Sequence, residues 1–248
     1  YKTWDGTPCE IEDWASRDNK VISNSYNNGY GIITFERPIE ILRQIFAGGP
    51  GMWLTHVLLP EGIVEIEECA FLSCCSLQNI TIPDSVSRIG NAAFGFCHSL
   101  QEFSIPDAVQ VIGKRVFDDC FNLRTFTGKY ASEDGRCLIV DGKLIAFARA
   151  GLTEYAIPDT VAEIGKYVFE RCYELEKICV PNSVKKIGIK AFYDCVRLQE
   201  ITIPQSVDEI GKYAFEYTGT RTKSPSFLVP QECKVEEQGR AEKYITRY

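Results

Sequence analysis

Apolar and polar positions repeat along this chain at a nearly constant spacing. The clearest marker is a leucine, and successive leucines lie 23 residues apart except for one step of 29. They are Leu54, Leu77, Leu100, Leu123, Leu152, Leu175 and Leu198. In six of these seven repeats a proline follows six residues later, at Pro60, Pro83, Pro106, Pro158, Pro181 and Pro204. A period of this length predicts a solenoid, in which each coil buries its apolar side chains against its neighbours.

The repeat at 77–99 shows how one coil is expected to fold. Near-alternation over 77–82 predicts a short strand that ends at Pro83, because proline has no N–H for the ladder. Its inward side chains are predicted to be Leu77, Ile80 and Ile82, and its outward ones Gln78, Asn79 and Thr81. Val86 and Ile89 begin a second extended piece. The segment around Phe94 is too short for a stable α-helix and predicts a helical turn, of 3₁₀ type, with the phenylalanine filling the coil.

Glycine and cysteine each hold one fixed place in the repeat. The glycines are Gly90, Gly113, Gly165, Gly188 and Gly211, and we expect them to adopt a positive φ. The cysteines are Cys74, Cys97, Cys120, Cys172 and Cys195, which predicts a ladder of buried thiols packing as small apolar groups. Disulfides between them are the alternative. The chain has eleven cysteines, so at least one thiol stays free or pairs between molecules.

Composition excludes several classes of protein. The chain has 248 residues, of which 45% are hydrophobic, and this is enough for a sizeable core. Its net charge of −7 gives no general attraction to nucleic acid or to anionic membranes. No apolar run approaches the roughly 18 residues of a membrane span, so we expect no membrane insertion by this chain. The sequence opens at Tyr1 without a leader, and we expect a mature monomer from which any signal peptide has been removed.

The two ends and one repeat depart from the pattern. Residues 1–53 predict an N-terminal cap with a degenerate rung at 38–46, ahead of a repeat array over 54–220. Residues 221–248 predict a C-terminal cap with a last strand near Phe227 and a closing helix over 232–248. The 29-residue repeat at 123–151 contains Asp141-Gly142 between two apolar strands, which predicts a hairpin. That hairpin either bends the solenoid or forms a binding protrusion.

The consensus LxxIxIPxSVxxIGxxAFxxCxx resembles the BspA-like (Treponema-type) leucine-rich repeat of bacterial surface proteins. The resemblance covers about 54–218. Proline ends the strand here, where better-known leucine-rich repeats place Asn or Cys, so their asparagine ladder is not expected. The resemblance implies a right-handed leucine-rich repeat solenoid. Short parallel β-strands and short 3₁₀ or α turns on the convex side would form about seven rungs between N- and C-terminal caps. It also implies a secreted or cell-surface bacterial protein linked to adhesion.

Catalytic chemistry finds little support in the sequence. The two histidines, His56 and His98, lie two repeats apart, and no nucleophile shares a motif with them. Cys120 follows Asp118 and Asp119, but nearby carboxylates raise a thiol pKa, which opposes activation. No CxxC pair supplies zinc-ligand spacing. We therefore expect no enzyme activity, no cofactor and no metal.

Exposed positions on the strands are the better candidates for a site. Parallel strands stack about 4.8 Å apart, so their outward residues should form two lines on the concave face. The candidate binding residues are Gln78, Asn79, Gln101, Glu102, Arg124, Thr125, Glu154, Glu176, Lys177, Gln199 and Glu200. The expected ligand is a protein or glycan, such as a component of host extracellular matrix. The alternatives are an ordinary solvated face, and a structural spacer or anchor module without a specific ligand.

A row of lysines near the repeat glycine is a second candidate surface. It comprises Lys114, Lys166 and Lys212, with Lys185 and Lys186 nearby. Lysine commonly serves as a solubilising surface residue, so an ordinary solvated surface is the plainer interpretation of this row.

Overall fold

The structure is a computed structural model that describes residues 1–9, 20–219, 227–239, 241 and 245–247. It divides into two compact units, Tyr1–Ala131 and Ser132–Tyr248, called unit 1 and unit 2 below. The predicted limits of the caps and the repeat array, at residues 53 and 220, follow the sequence pattern and stay predictions.

Unit 1 is built from short strands that stack coil on coil. Its strands are β1 (Lys2–Thr3), β2 (Val21–Asn27), β3 (Tyr30–Phe35), β4 (Ile41–Leu42), β5 (Leu54–Leu58), β6 (Glu65–Ile66), β7 (Asn79–Thr81), β8 (Arg88–Ile89), β9 (Glu102–Ile105), β10 (Val111–Ile112) and β11 (Thr125–Gly128), with a 3₁₀ helix at Gly49–Gly51. The first strands of the coils pair in parallel as β5–β7 and β9–β11, and the second strands as β4–β6–β8–β10.

Unit 2 repeats this arrangement after a hairpin. Its strands are β12 (Cys137–Val140), β13 (Lys143–Phe147), β14 (Glu154–Ala156), β15 (Glu163–Ile164), β16 (Lys177–Cys179), β17 (Lys186–Ile187), β18 (Glu200–Thr202), β19 (Glu209–Ile210), β20 (Phe227–Val229), β21 (Lys234–Val235) and β22 (Ile245–Arg247). First strands form the parallel ladder β14–β16–β18, and second strands form β13–β15–β17–β19–β21. The predicted leucine-rich repeat solenoid fold is confirmed.

The 29-residue repeat contains the predicted hairpin. Strands β12 and β13 pair antiparallel across Asp141-Gly142, and both turn residues have a positive φ. Strand β13 then pairs in parallel with β15, so it takes the place of the second strand in its coil. Tyr155 is buried beneath the hairpin, and its hydroxyl donates to Asp134 at 3.0 Å. This contact ties the hairpin to the first strand of the next coil.

The repeat phenylalanines fill the coils as predicted. In unit 1 the rings of Phe71 and Phe94 stack with centroids 5.2 Å apart and planes 8° apart. In unit 2 Phe192 stacks between Phe169 and Phe215 at 4.9 and 5.4 Å. Offset aromatic stacking adds to the apolar area that each ring buries. The turn around each ring contains isolated 3₁₀-type hydrogen bonds and no continuous helix. One example is the bond from Cys74 N–H to the Phe71 carbonyl, at 3.2 Å.

The repeat glycines do not adopt the predicted positive φ, and this prediction is wrong. Their backbone is ordinary, and the left-handed residue lies two positions later, as at Ala92 and Lys190. Glycine is needed because the preceding coil approaches too closely for a side chain. A Cβ on Gly188 would lie 2.7 Å from the carbonyl carbon of Gly165 and 2.8 Å from its oxygen. The glycine column therefore sets the distance between coils.

The cysteine column is buried, and none of the eleven cysteines, all of which lie in the described ranges, forms a disulfide. The thiols of Cys74, Cys97, Cys120 and Cys195 also donate to a backbone carbonyl, a contact that the sequence did not indicate. The Cys97 S–H donates to the Phe71 carbonyl of the preceding coil at 3.3 Å, and the Cys195 S–H donates to Phe169 at 2.9 Å. Thr218 occupies the same place and its hydroxyl donates to the Phe192 carbonyl at 2.8 Å. The column thus satisfies a buried backbone acceptor as well as filling space.

The N-terminal segment pairs with the first coil of unit 1. Strand β1 runs antiparallel to β5, with Lys2 opposite His56. Strands β2 and β3 form a hairpin whose turn residues, Asn28 and Gly29, both have a positive φ, as a type I′ turn requires. Residues 10–19 lie outside the described part of the chain.

The closing helix predicted over 232–248 is wrong for the residues that the structure describes. Lys234–Val235 is a strand that pairs with β19, and Ile245–Arg247 pairs with β20. Gln238 is fully buried and takes the place of a further coil. Its side-chain oxygen accepts from Phe215 N–H at 3.2 Å. In earlier coils the equivalent phenylalanine N–H donates to a backbone carbonyl of the next coil. The polar sequence forms an end cap through side-chain hydrogen bonds rather than through a helix.

Candidate binding surface

The outward positions of the first strands form what is called here the strand-ladder face. It comprises the second and third residues of each first-strand repeat, described separately for the two units. In unit 1 Gln78, Asn79, Gln101, Glu102 and Arg124 are exposed and Thr125 is half-buried. In unit 2 Glu154, Gln199 and Glu200 are exposed, while Glu176 and Lys177 are half-buried. Every predicted site residue therefore reaches solvent.

The strand geometry explains this exposure. Side chains alternate along a strand, so Ile80 is buried while its neighbours Asn79 and Thr81 face solvent. The stacking register aligns equivalent residues, with Glu102 opposite Thr125 in unit 1. In unit 2 Glu154, Lys177 and Glu200 lie in one column in direct register.

Charges on the strand-ladder face of unit 2 compensate one another. The Lys177 ammonium lies 3.0 Å from the Glu200 carboxylate, and its pKa is raised by that hydrogen bond, by the charge of Glu200 and by Glu154. Arg197 bridges the carboxylates of Glu174 and Glu176 at 2.8 and 2.7 Å. The acidic residues prominent in the sequence are therefore largely neutralised by basic residues one coil away.

Unit 1 differs in this respect. Glu102 and Arg124 form no ion pair with any other residue in the described part of the chain. Both are exposed, and Gln101 beside them is exposed as well. The charged and polar groups at 101–125 are therefore exposed to solvent without an ion pair inside the described part of the chain.

Groups that might support catalysis do not converge. His56 is exposed on β5, with its Nδ1 3.0 Å from the Thr55 hydroxyl. His98 stacks on Phe121 with ring centroids 5.1 Å apart. The Cys120 thiol is buried and lies 3.1 Å from the Phe94 carbonyl oxygen. Among the described residues no group of three or more His, Cys, Asp or Glu side chains is placed to hold a metal ion.

The lysine row is exposed in part and paired in part. Lys114, Lys166 and Lys185 are exposed. Lys186 contacts Glu209 at 2.9 Å and Lys212 contacts Glu237 at 2.9 Å. None of the helices in the described ranges is long and apolar enough to cross a membrane.

Aromatic residues at the corners are a feature that sequence reasoning missed. Phe96 and Phe121 are exposed in unit 1 and pack on either side of His98. In unit 2 Tyr193 and Tyr217 form an edge-on pair with centroids 5.4 Å apart. Both sets lie within two positions of the repeat cysteine, or of Thr218 in its place, so comparing these positions between repeats would have revealed them.

The chain is similar to solved structures of bacterial leucine-rich repeat proteins. A leucine-rich cell-surface protein from Faecalibacterium prausnitzii A2-165 is 24% identical with a TM-score of 0.60, over 77% of this chain and 62% of that one. The pneumococcal vaccine antigen PcpA is 20% identical with a TM-score of 0.60, over 75% of this chain and 55% of PcpA. The chain thus spans less than two thirds of either protein. At these identities the likeness shows the fold.

No curated protein matches the sequence significantly. The BspA type leucine-rich repeat region, by contrast, matches in six copies over residues 27–132 and 144–228, which is most of the chain. The matched ranges contain the proline-ended strands, the glycine column and the buried Phe and Cys columns described above. The chain belongs to the BspA-type leucine-rich repeat family.

Proposed function

We propose that this chain is a secreted or cell-surface bacterial interaction module, without enzyme activity, that binds a protein or glycan through its strand-ladder face. The family consists of bacterial surface leucine-rich repeat proteins, and family and fold are typically non-enzymatic. One of the similar structures is described as a cell-surface protein and another as a vaccine antigen, which supports surface exposure. The whole protein's partners and activity are part of this proposal.

The observation that carries the proposal is the uncompensated charge on the face of unit 1. Glu102, Arg124 and Gln101 are exposed on neighbouring coils, and Glu102 and Arg124 have no ion-pair partner among the described residues. A ligand gains most from charged groups that do not first have to give up an internal partner. The face of unit 2, where charges are paired, would contribute complementary surface with less electrostatic selectivity.

The test is saturable binding to immobilised fibronectin, laminin, collagen and mucin glycans, measured by biolayer interferometry. The variant Glu102→Lys/Arg124→Glu reverses both charges while preserving their sum. The control Lys114→Glu/Asp107→Lys does the same at exposed positions off the strand-ladder face. We expect at least one ligand to bind, the face variant to lose about tenfold or more in affinity, and the control to retain it.

The alternative is a structural spacer or anchor module with no specific ligand. It predicts no saturable binding to any member of the panel. Equal loss from the face variant and the control would place the ligand elsewhere and contradict the proposal. Melting temperatures of both variants should match the parent, because exposed charge changes alter stability little.

A further inference from the structure

Three aromatic side chains on two successive coils of unit 1 form a cluster that is called here the corner platform. It comprises Phe96, His98 and Phe121. The imidazole of His98 stacks on the Phe121 ring, with centroids 5.1 Å and planes 26° apart, and Phe96 contacts the imidazole edge-on at 6.2 Å. Phe96 is 37% exposed and Phe121 is 38% exposed, so part of each ring is in contact with solvent.

The stacking of the coils holds these rings in place. His98 and Phe121 hold equivalent places in successive repeats, one residue after a buried cysteine. The Asn122 side-chain amide donates to the His98 carbonyl at 2.8 Å. Phe96 N–H donates to the Asp118 carbonyl of the next coil at 2.7 Å. The platform is therefore fixed by the same contacts between coils that build the solenoid.

Amide side chains border the corner platform. Gln101 lies three residues after His98, at the start of the strand-ladder face of the same coil, and Asn122 directly follows Phe121. Both amides are exposed, and neither side-chain oxygen accepts a hydrogen bond from a residue in the described ranges. An amide offers both a donor and an acceptor, which are the two functions that a sugar hydroxyl also has.

The equivalent corner of unit 2 lacks this combination. Tyr173 and Val196 hold the places of His98 and Phe121, so one aromatic ring stands there instead of a stacked pair. The Tyr173 hydroxyl donates to Asp194 at 3.4 Å. The residue after Tyr173 is charged and is already engaged in the ion pair between Glu174 and Arg197. Unit 2 therefore supplies a natural comparison for the corner of unit 1.

The size and chemistry of the platform suit a sugar ring better than a protein. Most of each phenylalanine is buried, so the two rings expose far less than the about 800 Å² that each partner buries in a stable protein interface. The face of an aromatic ring is electronegative and attracts weakly positive C–H groups. A β-galactoside presents a continuous face of this kind, because its axial hydroxyl at C4 leaves H3, H4 and H5 together on the opposite side.

We propose that the corner platform binds a β-galactoside of a glycan, with the C–H face of galactose on Phe121 and the hydroxyls directed to Asn122 and Gln101. The amides replace the water that the hydroxyls give up on binding, so that no polar group is left unpaired. This proposal rests on the proposed function, because it names a glycan as the ligand and adds the adjoining corner to the strand-ladder face.

The test uses lactose, a free β-galactoside, in saturation-transfer-difference NMR with the full chain. Cellobiose is the matched ligand, because it differs from lactose only in the orientation of the C4 hydroxyl of the terminal ring. We expect saturable binding of lactose, with the strongest transfer at galactose H3, H4 and H5, and about tenfold weaker binding of cellobiose. Equal binding of the two sugars, or no binding of lactose, would overturn the proposal.

Variants locate the binding. Phe121→Ala removes the ring under the sugar and should weaken lactose binding about tenfold, whereas Phe121→Tyr keeps the ring and should retain the affinity. The matched control is Tyr173→Ala in unit 2, which removes a ring of the same 38% exposure from the equivalent corner. It should change the affinity less than about twofold. Unchanged affinity in a folded Phe121→Ala protein, or an equal loss in the control, would overturn the proposal.

Failure of this proposal and failure of the proposed function are separable. Lactose covers only the platform, so Glu102→Lys/Arg124→Glu should change its affinity less than about twofold. If matrix proteins or mucin glycans bind and that variant loses them, while lactose does not bind, the platform proposal is overturned and the proposed function stands. A matrix protein that depends on Phe121 and is not displaced by lactose would assign the platform to a protein partner, which also overturns the proposal.

Discussion

The glycine column offers the sharpest test of how closely neighbouring coils pack. A Cβ added at Gly90 would lie 2.6 Å from the carbonyl carbon of Glu67 and 2.9 Å from the Cα of Glu68, and closer still to the Glu68 nitrogen. These are main-chain atoms, so no side chain can rotate away to relieve the overlap. We therefore predict that Gly90→Ala separates two coils of unit 1.

The size of the effect follows from the distances. Ordinary contact begins at 3.4 Å, so the coils must part by at least about 0.8 Å near this residue. The Gly90 N–H bond to Ile66, now 2.7 Å, would lengthen to about 3.5 Å and be lost. Losing one or two backbone hydrogen bonds costs about 1 kcal/mol each, and overpacking costs about 1–3 kcal/mol. Together these costs outweigh the gain of about 0.4–1 kcal/mol that alanine brings by stiffening the unfolded chain. The expected net loss is about 2–4 kcal/mol.

Urea unfolding followed by circular dichroism measures this loss. The matched control is Gly95→Ala in the same repeat, where an added Cβ meets the Cδ1 atom of Leu72 at 2.9 Å. That atom is the mobile end of a half-buried side chain, so the control should lose less than about 1 kcal/mol. A loss below about 1 kcal/mol for Gly90→Ala, or an equal loss in the control, would refute the close-approach explanation.

Three further predictions concern the end cap, the cysteine column and the hairpin. Gln238→Ala leaves the Phe215 N–H buried without its acceptor, so the free energy of unfolding should fall by about 1–3 kcal/mol. Hydrogen exchange of the Phe215 amide should also become faster, and unchanged exchange would contradict the capping role of Gln238. Cys195→Thr should be more stable than Cys195→Val, because a hydroxyl can make the bond that Thr218 already makes; equal urea midpoints would show that the thiol bond is dispensable. Burial opposes ionisation of Asp134, but hydrogen bonds, first among them that from Ser132, outweigh it and lower its pKa. The pKa of Asp134 is lower in the folded protein than in the unfolded chain. Ionised Asp134 therefore stabilises the fold fully above the unfolded-state pKa, and this stabilisation is lost as pH falls through the folded-state pKa. Asp134→Asn should therefore flatten the loss of stability between about pH 5 and about pH 2, and an unchanged acid limb would count against this.

Most of the fold could be predicted because its determinants are local. Alternation and a terminal proline define the first strand in six of the seven repeats, and the repeat period places equivalent residues one above another. Asp141-Gly142 predicts the hairpin because both residues tolerate a positive φ, which the structure confirms. None of these inferences requires knowing the distance between coils.

The predictions that were wrong depended on contacts between coils. A repeated glycine such as Gly90 shows that a side chain is excluded, but the sequence alone cannot distinguish a left-handed backbone from a close neighbour. The segment 232–248 contains helix-forming residues, yet Lys234 and Val235 complete the open ladder edge next to β19. Tertiary pairing with that edge outweighed local propensity, as it commonly does in short strands.

The candidate surfaces were predictable to different degrees. Outward positions such as Gln101 and Glu102 follow directly from alternation and are exposed as expected. Whether a charge on this face is paired, as Lys177 is with Glu200, depends on the neighbouring coil, so only the structure reveals it. The role of the strand-ladder face in binding stays a prediction.

The repeat spacing decides where the fold leaves charge available for recognition. Stacked residues lie about 4.8 Å apart, so opposite charges one repeat apart pair with each other. In the second ladder of unit 2 the column alternates throughout in direct register, as Lys143, Glu163, Lys186, Glu209 and Lys234. Such a column favours correct stacking, because a slip by one coil would place like charges opposite each other. Glu102 instead faces Thr125, so its charge is not consumed by stacking. Charge alternation along a column therefore supports the fold, and an interruption of it leaves a group that can bind a partner.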